Sequence, residues 1–170
     1  MEAVITTLKK TTYTKTRLLH RLGILQHVLE RVFYQAASDT PVRDAFTEEL
    51  RAYAEPDDID ALVQLGTDWV LEMNESRVPT ALQSAHESIE AAPTLTLYVP
   101  AVFDEAAEAE LGKWCRAELD EEMLLELEVD PNVVGGCAVI AHNTLHEYSL
   151  RTGLAAQPDL LAKLVTEYES

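Results

Sequence analysis

Between Arg17 and Ala37 apolar residues recur at Leu18, Leu22, Leu25, Leu29, Val32 and Ala36, a three-four spacing that lines one face of a helix. Ser38, Asp39, Thr40 and Pro41 then supply turn chemistry and a proline suited to a first helical turn. Val42 to Ala54 reads as a second helix. Glu55-Pro56-Asp57-Asp58 breaks it and starts a third, in which Ile59, Leu62, Trp69 and Met73 share a side and Asp57 and Asp58 stand where they can cap the start. Asn74 to Pro79 is a further break, and Thr80 to Ala92 is again helical. The spacing therefore predicts an all-helical unit over residues 1–92.

At Pro93 the period changes. Thr94 to Val99 alternates polar with apolar, β-branched and aromatic side chains, which predicts a half-buried strand closed by Pro100. Asp104 to Leu119 returns to helical spacing, with Phe103, Ala107, Leu111 and Trp114 in register. Met123 to Val129 alternates again, with Met123, Leu125, Leu127 and Val129 on one face. Cys137 to Thr144 is another β-rich run, and Pro158 to Tyr168 reads as a closing helix. The expected fold class is α+β: an N-terminal all-helical bundle, residues 1–92, then a small C-terminal α/β domain, residues 93–170, in the order strand-helix-strand-strand-helix.

The chain has 170 residues, 47% hydrophobic and 25% charged, in the range of ordinary globular proteins. Met1 to Lys10 lacks the apolar core and cleavage site of a secretory signal, so a cytoplasmic protein is expected. A net charge of -17 argues against nucleic acid as a partner. The charge is unevenly spread. Lys9, Lys10, Lys15, Arg17, Arg21 and Arg31 face only Glu2 and Glu30 within residues 1–31, whereas the remainder holds seven basic and 28 acidic side chains. Attraction between the two regions, or plain solvation, accounts for this better than a dedicated docking site.

Candidate chemistry is sparse. Gly135-Gly136 runs into Cys137-Ala138-Val139-Ile140, which favours strand, and no Lys-Ser/Thr or GxGxxG accompanies it. Phosphate binding is therefore not expected; the glycines fit a corner needing positive φ or close backbone approach. His142, His146, Glu147 and Cys137 lie near one another in sequence, but their spacing matches no zinc signature. No GxSxG elbow is present, and the acidic pairs Asp57/Asp58 and Glu121/Glu122 sit at helix ends. Trp69, Trp114 and Phe103 read as core. The two cysteines, Cys115 and Cys137, read as free thiols. No catalytic, cofactor-binding or metal-ligating residue is expected.

The string ELEVDPNVVGGCAVIAHNTLHEYSLR, Glu126 to Arg151, resembles the C-terminal segment of the delta subunit of bacterial F-type ATP synthases, related to the mitochondrial oligomycin sensitivity-conferring protein. The positions that carry the resemblance are Asp130-Pro131, Val133-Val134, Gly135-Gly136, Ser149, Leu150 and Arg151. It extends upstream to about Leu95 through the strand, helix, strand order. The resemblance implies a non-catalytic stator: a helical domain holding the N-termini of alpha subunits, and a C-terminal domain gripping the end of the b-subunit stalk, so that the catalytic head does not turn with the rotor. It also implies a peripheral location on the cytoplasmic face of the membrane, without direct nucleotide binding. On that basis the partner grooves are expected along Leu18, Leu22, Leu25 and Leu29, and around Trp114 and the strand after Gly136. The rivals are an E-type peripheral-stalk subunit of an archaeal or vacuolar-type ATPase, suggested by Asn143-Thr144-Leu145, and a small metal-dependent hydrolase using His142, His146 or Cys137.

Overall fold

A computed structural model describes residues 2–34, 40–141 and 144–155. The helices are α1 (Glu2–Thr11), α2 (Lys15–Tyr34), α3 (Val42–Tyr53), α4 (Pro56–Val63), a 3-10 turn (Asp68–Glu72), α5 (Arg77–Glu90), α6 (Glu105–Glu118) and α7 (Leu150–Ala155). The strands are β1 (Thr94–Val99), β2 (Leu124–Val129), β3 (Gly136–Ala141) and β4 (Thr144–Ser149). A helical lobe is thus followed by a strand-rich lobe, as the change of period at Pro93 requires, and the fold is α+β.

The three-four stripe of α2 is the axis of the helical lobe. Leu18, Leu25, Val28 and Leu29 are fully buried, and α1, α3 and α5 close around them with Val4, Ile5, Leu8, Phe46, Leu50, Val78 and Ile89. The third helix expected between Ile59 and Met73 is two elements. Gly66 adopts φ 66° and ends the run after α4, so Trp69 arrives on the 3-10 turn and packs edge-on to Phe46 at 5.5 Å. Asp58 does not cap α4; its carboxylate turns inward to Arg21 at 2.9 Å. Ala36, Ala37, Ser38, Asp39 and the expected closing helix from Pro158 to Tyr168 lie outside the described residues.

The sheet order is β2-β1-β3-β4. β1 and β2 are parallel, joined through α6, whereas β3 runs antiparallel to β1 and β4 antiparallel to β3. Parallel neighbours need such a crossover, and a helix laid over the sheet supplies it. Asp104 caps α6, accepting a hydrogen bond from the Ala107 amide at 2.8 Å. The expected face of α6 holds at Phe103 and Leu111, which pack against the sheet core, and fails at Trp114. Gly112 and Cys115 point inward, while Trp114 is 58% exposed. At Gly112 the helix comes close enough to Tyr13 of the α1–α2 elbow that no larger residue fits.

The elbow joins the lobes. The Leu125 amide donates to the Tyr13 carbonyl at 2.9 Å, and Thr14 forms a parallel bridge with Leu125, so the elbow lies along β2 like a short extra strand. Leu124 and Leu125 are both fully buried, on opposite sides: Leu124 completes the helical core and Leu125 the sheet core. A Cβ placed on Gly112 would lie 2.6 Å from Cδ1 of Tyr13 and closer still to its Cβ. At Gly23 in α2 a Cβ meets nothing within 4 Å. Gly23→Ala should therefore add about 1 kcal/mol of stability through helix propensity. Gly112→Ala should lose about 1 kcal/mol net, because overpacking of roughly 1–3 kcal/mol outweighs the same gain. Urea denaturation of both variants checks this; equal stabilisation would show that α6 does not press on Tyr13.

Candidate functional site

The motif residues of the sequence meet at one corner. Asp130 turns the chain after β2: its Oδ1 accepts from the Asn132 amide and side-chain nitrogen, each at 2.9 Å, and the Val133 amide donates to the Asp130 carbonyl at 3.0 Å. Pro131 sits exposed within that turn, and Val133 folds inward to burial. Gly135 and Gly136 then take φ 65° and 76°, both in the left-handed region. Gly136 pairs with Ser149 at the end of the β3–β4 ladder. A Cβ on Gly136 would collide with the carbonyl oxygen of Tyr148 and lie 3.2 Å from its carbonyl carbon. Ser149 is buried and its hydroxyl donates to Glu147. The Leu150 amide donates to the carbonyls of Val134 and Gly135, so α7 starts directly on the corner, with Arg151 exposed on its first turn. Gly136 serves close backbone approach, and Gly135 leaves room for the Leu150 side chain.

Of the four leucines expected to line a partner groove, Leu22 alone borders an open groove. Leu18, Leu25 and Leu29 are fully buried and Leu22 is 6% exposed, so their side chains fill the core of the helical lobe. The accessible groove lies one step around α2. Leu22, Gln26, Glu30 and Tyr34, at successive four-residue steps, face Pro79, Leu82, Gln83 and His86 of α5 across a space of about 580 Å³. Leu22 and Leu82 give it an apolar floor; Gln26, Glu30, Gln83 and His86 give it a polar rim. Such a section suits an amphipathic helix laid lengthwise. Sequence periodicity finds the buried stripe of α2 but not the half-exposed row beside it, because polar residues carry no phase signal.

Trp114 is displayed on the outer surface of α6, away from the sheet core that Cys115 enters. A large, exposed indole on a rigid helix is the kind of anchor that interfaces use. Val102 and Leu119 are also exposed near the two ends of α6.

Among the described residues the histidine and cysteine candidates form no metal-binding group. Adjacent residues of a strand point to opposite faces, so His146 and Glu147 on β4 cannot converge on one ion. Cys137 pairs with Tyr148 and His146 with Val139 in the ladder, and His142 lies outside the described residues. Among the described residues no group of three or more His, Cys, Asp or Glu side chains is placed to hold a metal ion. Burial pushes the Cys115 thiol up, which lowers its thiolate fraction and its reactivity. Of the acidic pairs, Asp58 belongs to an internal ion pair, and the Glu122 amide donates to Asp120 in a turn.

The basic start of the chain pairs with its acidic remainder. Lys15 meets Glu90 at 2.6 Å, Arg17 meets Glu108 at 3.0 Å, Arg31 meets Glu49 at 2.7 Å, and Arg21 meets both Asp58 and Glu105. Four of the six basic residues of the start are thus held by acidic residues of the remainder. Neither a protein-family model nor a curated protein sequence matches the chain.

Proposed function

We propose that this chain is a non-catalytic peripheral-stalk subunit of a proton-translocating F-type ATP synthase, linking the alpha subunits of the catalytic head to the b-subunit stalk. The observation that supports it best is the corner from Asp130 to Arg151. The residues through which the sequence resembles the delta subunit family are those that build the joint between β2, β3, β4 and α7. Two further features agree with a mechanical part. The lobes touch through backbone hydrogen bonds and buried charge, and the surface offers a helix-sized groove on one lobe and an exposed indole on the other. In this reading the α2–α5 groove takes the alpha-subunit N-terminus and the Trp114 face of α6 takes the stalk. Attachment to the membrane is then through the complex; no helix among the described residues is long and apolar enough to cross a bilayer.

The test is binding to the alpha and b subunits of the same cell, measured by titration calorimetry with purified partners. Gln26 is exposed on α2, and Gln26→Trp should fill the groove and abolish alpha binding while b binding persists. Trp114→Ala should weaken b binding by about 30-fold, the loss of roughly 2 kcal/mol typical of an interfacial tryptophan, and leave alpha binding unchanged. Both variants should keep the parent circular dichroism. Absence of binding by the unmodified chain to either partner would overturn the reading.

A further inference from the structure

We propose that Arg116, Gly112 and the α1–α2 elbow form a clasp that couples the two lobes into one cooperative unit. This stands independently of the stator reading. The covalent link between the lobes is short, Ala91 to Pro93, and a link of that kind alone leaves two lobes free to open separately. The clasp lies beside this link: the Leu124 amide donates to the Pro93 carbonyl at 2.8 Å, and the next amide, of Leu125, to the Tyr13 carbonyl of the elbow.

Its centre is the Arg116 guanidinium. Nη1 donates to the Lys9 carbonyl at 2.6 Å, Nη2 to the Thr12 carbonyl at 2.9 Å, and Nε to the Met123 carbonyl at 3.0 Å. The first two acceptors belong to the last turn and exit of α1, where helix carbonyls lack partners within the helix and the dipole favours a cation. A residue of the strand-rich lobe thus caps a helix of the helical lobe. The same guanidinium lies 4.6 Å from the centre of the Tyr13 ring, and Gly112, one turn earlier on α6, lets Tyr13 seat against the helix. Around this centre Arg21 reaches Glu105 at 3.0 Å and Arg17 reaches Glu108 at 3.0 Å. Leu124, from the strand-rich lobe, completes the core of the helical one. Opening the lobes would strip the Lys9, Thr12 and Tyr13 carbonyls, two of the three donor nitrogens of Arg116 and a core leucine of their partners at once, so neither lobe opens without the other.

Two side chains report the lobes separately. Trp69 packs in the helical core and Cys115 is buried in the sheet core. In the full chain carrying Trp114→Phe and Cys137→Ser, urea unfolding is followed by Trp69 fluorescence and by Cys115 labelling with a thiol reagent. The two midpoints should coincide. Adding Arg116→Met should part them by about 1 M urea, with Cys115 exposed first, while Arg51→Met at an exposed site on α3 should leave them together. Separate midpoints in the parent chain would overturn the proposal. Coincident midpoints after Arg116→Met would overturn it as well, by showing that coupling does not pass through this guanidinium.

Discussion

Gly136→Val is expected to destabilise the native fold severely. The backbone there stands at φ 76°, where a β-branched residue is strained by about 1–3 kcal/mol, and the first side-chain atom would collide with the Tyr148 carbonyl oxygen. That oxygen belongs to the ladder between β3 and β4, so it cannot move without unpairing Gly136 from Ser149 and lifting the start of α7 off the corner. Overpacking of this kind adds roughly another 1–3 kcal/mol, for a total of about 4 kcal/mol, a large share of the 5–15 kcal/mol that holds a domain together. Thermal unfolding monitored by circular dichroism should show the transition lowered by more than 10 °C or lost. Gly153→Val in α7, where a Cβ meets nothing within 4 Å, is the control. If Gly136→Val melted with its parent, the corner would have to tolerate a side chain, and the backbone approach seen there would not be required for folding.

What could be read from sequence follows the strength of the physical signal. β1 appears over the residues predicted for it, because six positions of clean alternation bounded by Pro93 and Pro100 admit no other period. The buried stripe of α2 and the Gly135–Gly136 corner were equally legible, the second because two left-handed residues at a strand start demand glycine. α1 carries large apolar residues only at Val4, Ile5 and Leu8, too short a stripe to phase, yet all three are buried. β4 gave no hydrophobic pattern because its residues from Thr144 to Tyr148 are exposed on both faces; its pairing with β3 places it. On α6 the helical spacing holds for Leu111, which packs on the sheet core, and misleads at Trp114, whose neighbour Cys115 is the buried residue instead. The open groove beside α2 escapes for a related reason: periodicity selects the most buried row, and the groove lies beside that row.

The least legible residue is Arg21, and it carries the other large expected effect. Its position between Leu18 and Leu25 suggests a solvated charge, yet it is 1% exposed and donates to Asp58 at 2.9 Å, to the Thr12 hydroxyl at 2.7 Å and to Glu105 at 3.0 Å. Asp58 is itself only 5% exposed, with His20 at 3.2 Å as its second partner, whereas the Glu105 side chain retains 42% exposure and can be hydrated alone. Arg21→Met should therefore cost about 3–5 kcal/mol, dominated by the Asp58 carboxylate left buried without its guanidinium. The pair as a whole contributes far less, because its attraction only offsets the removal of two charges from water. Arg21→Met combined with Asp58→Leu should accordingly recover most of the loss and come within about 2 kcal/mol of the parent, the remainder reflecting the Thr12 hydroxyl left unpaired. Denaturant titration of the two single variants and the double one gives a coupling free energy directly. A double variant as unstable as Arg21→Met alone would mean that Arg21 acts through Thr12 and Glu105 at the lobe junction, and that Asp58 is a bystander to it.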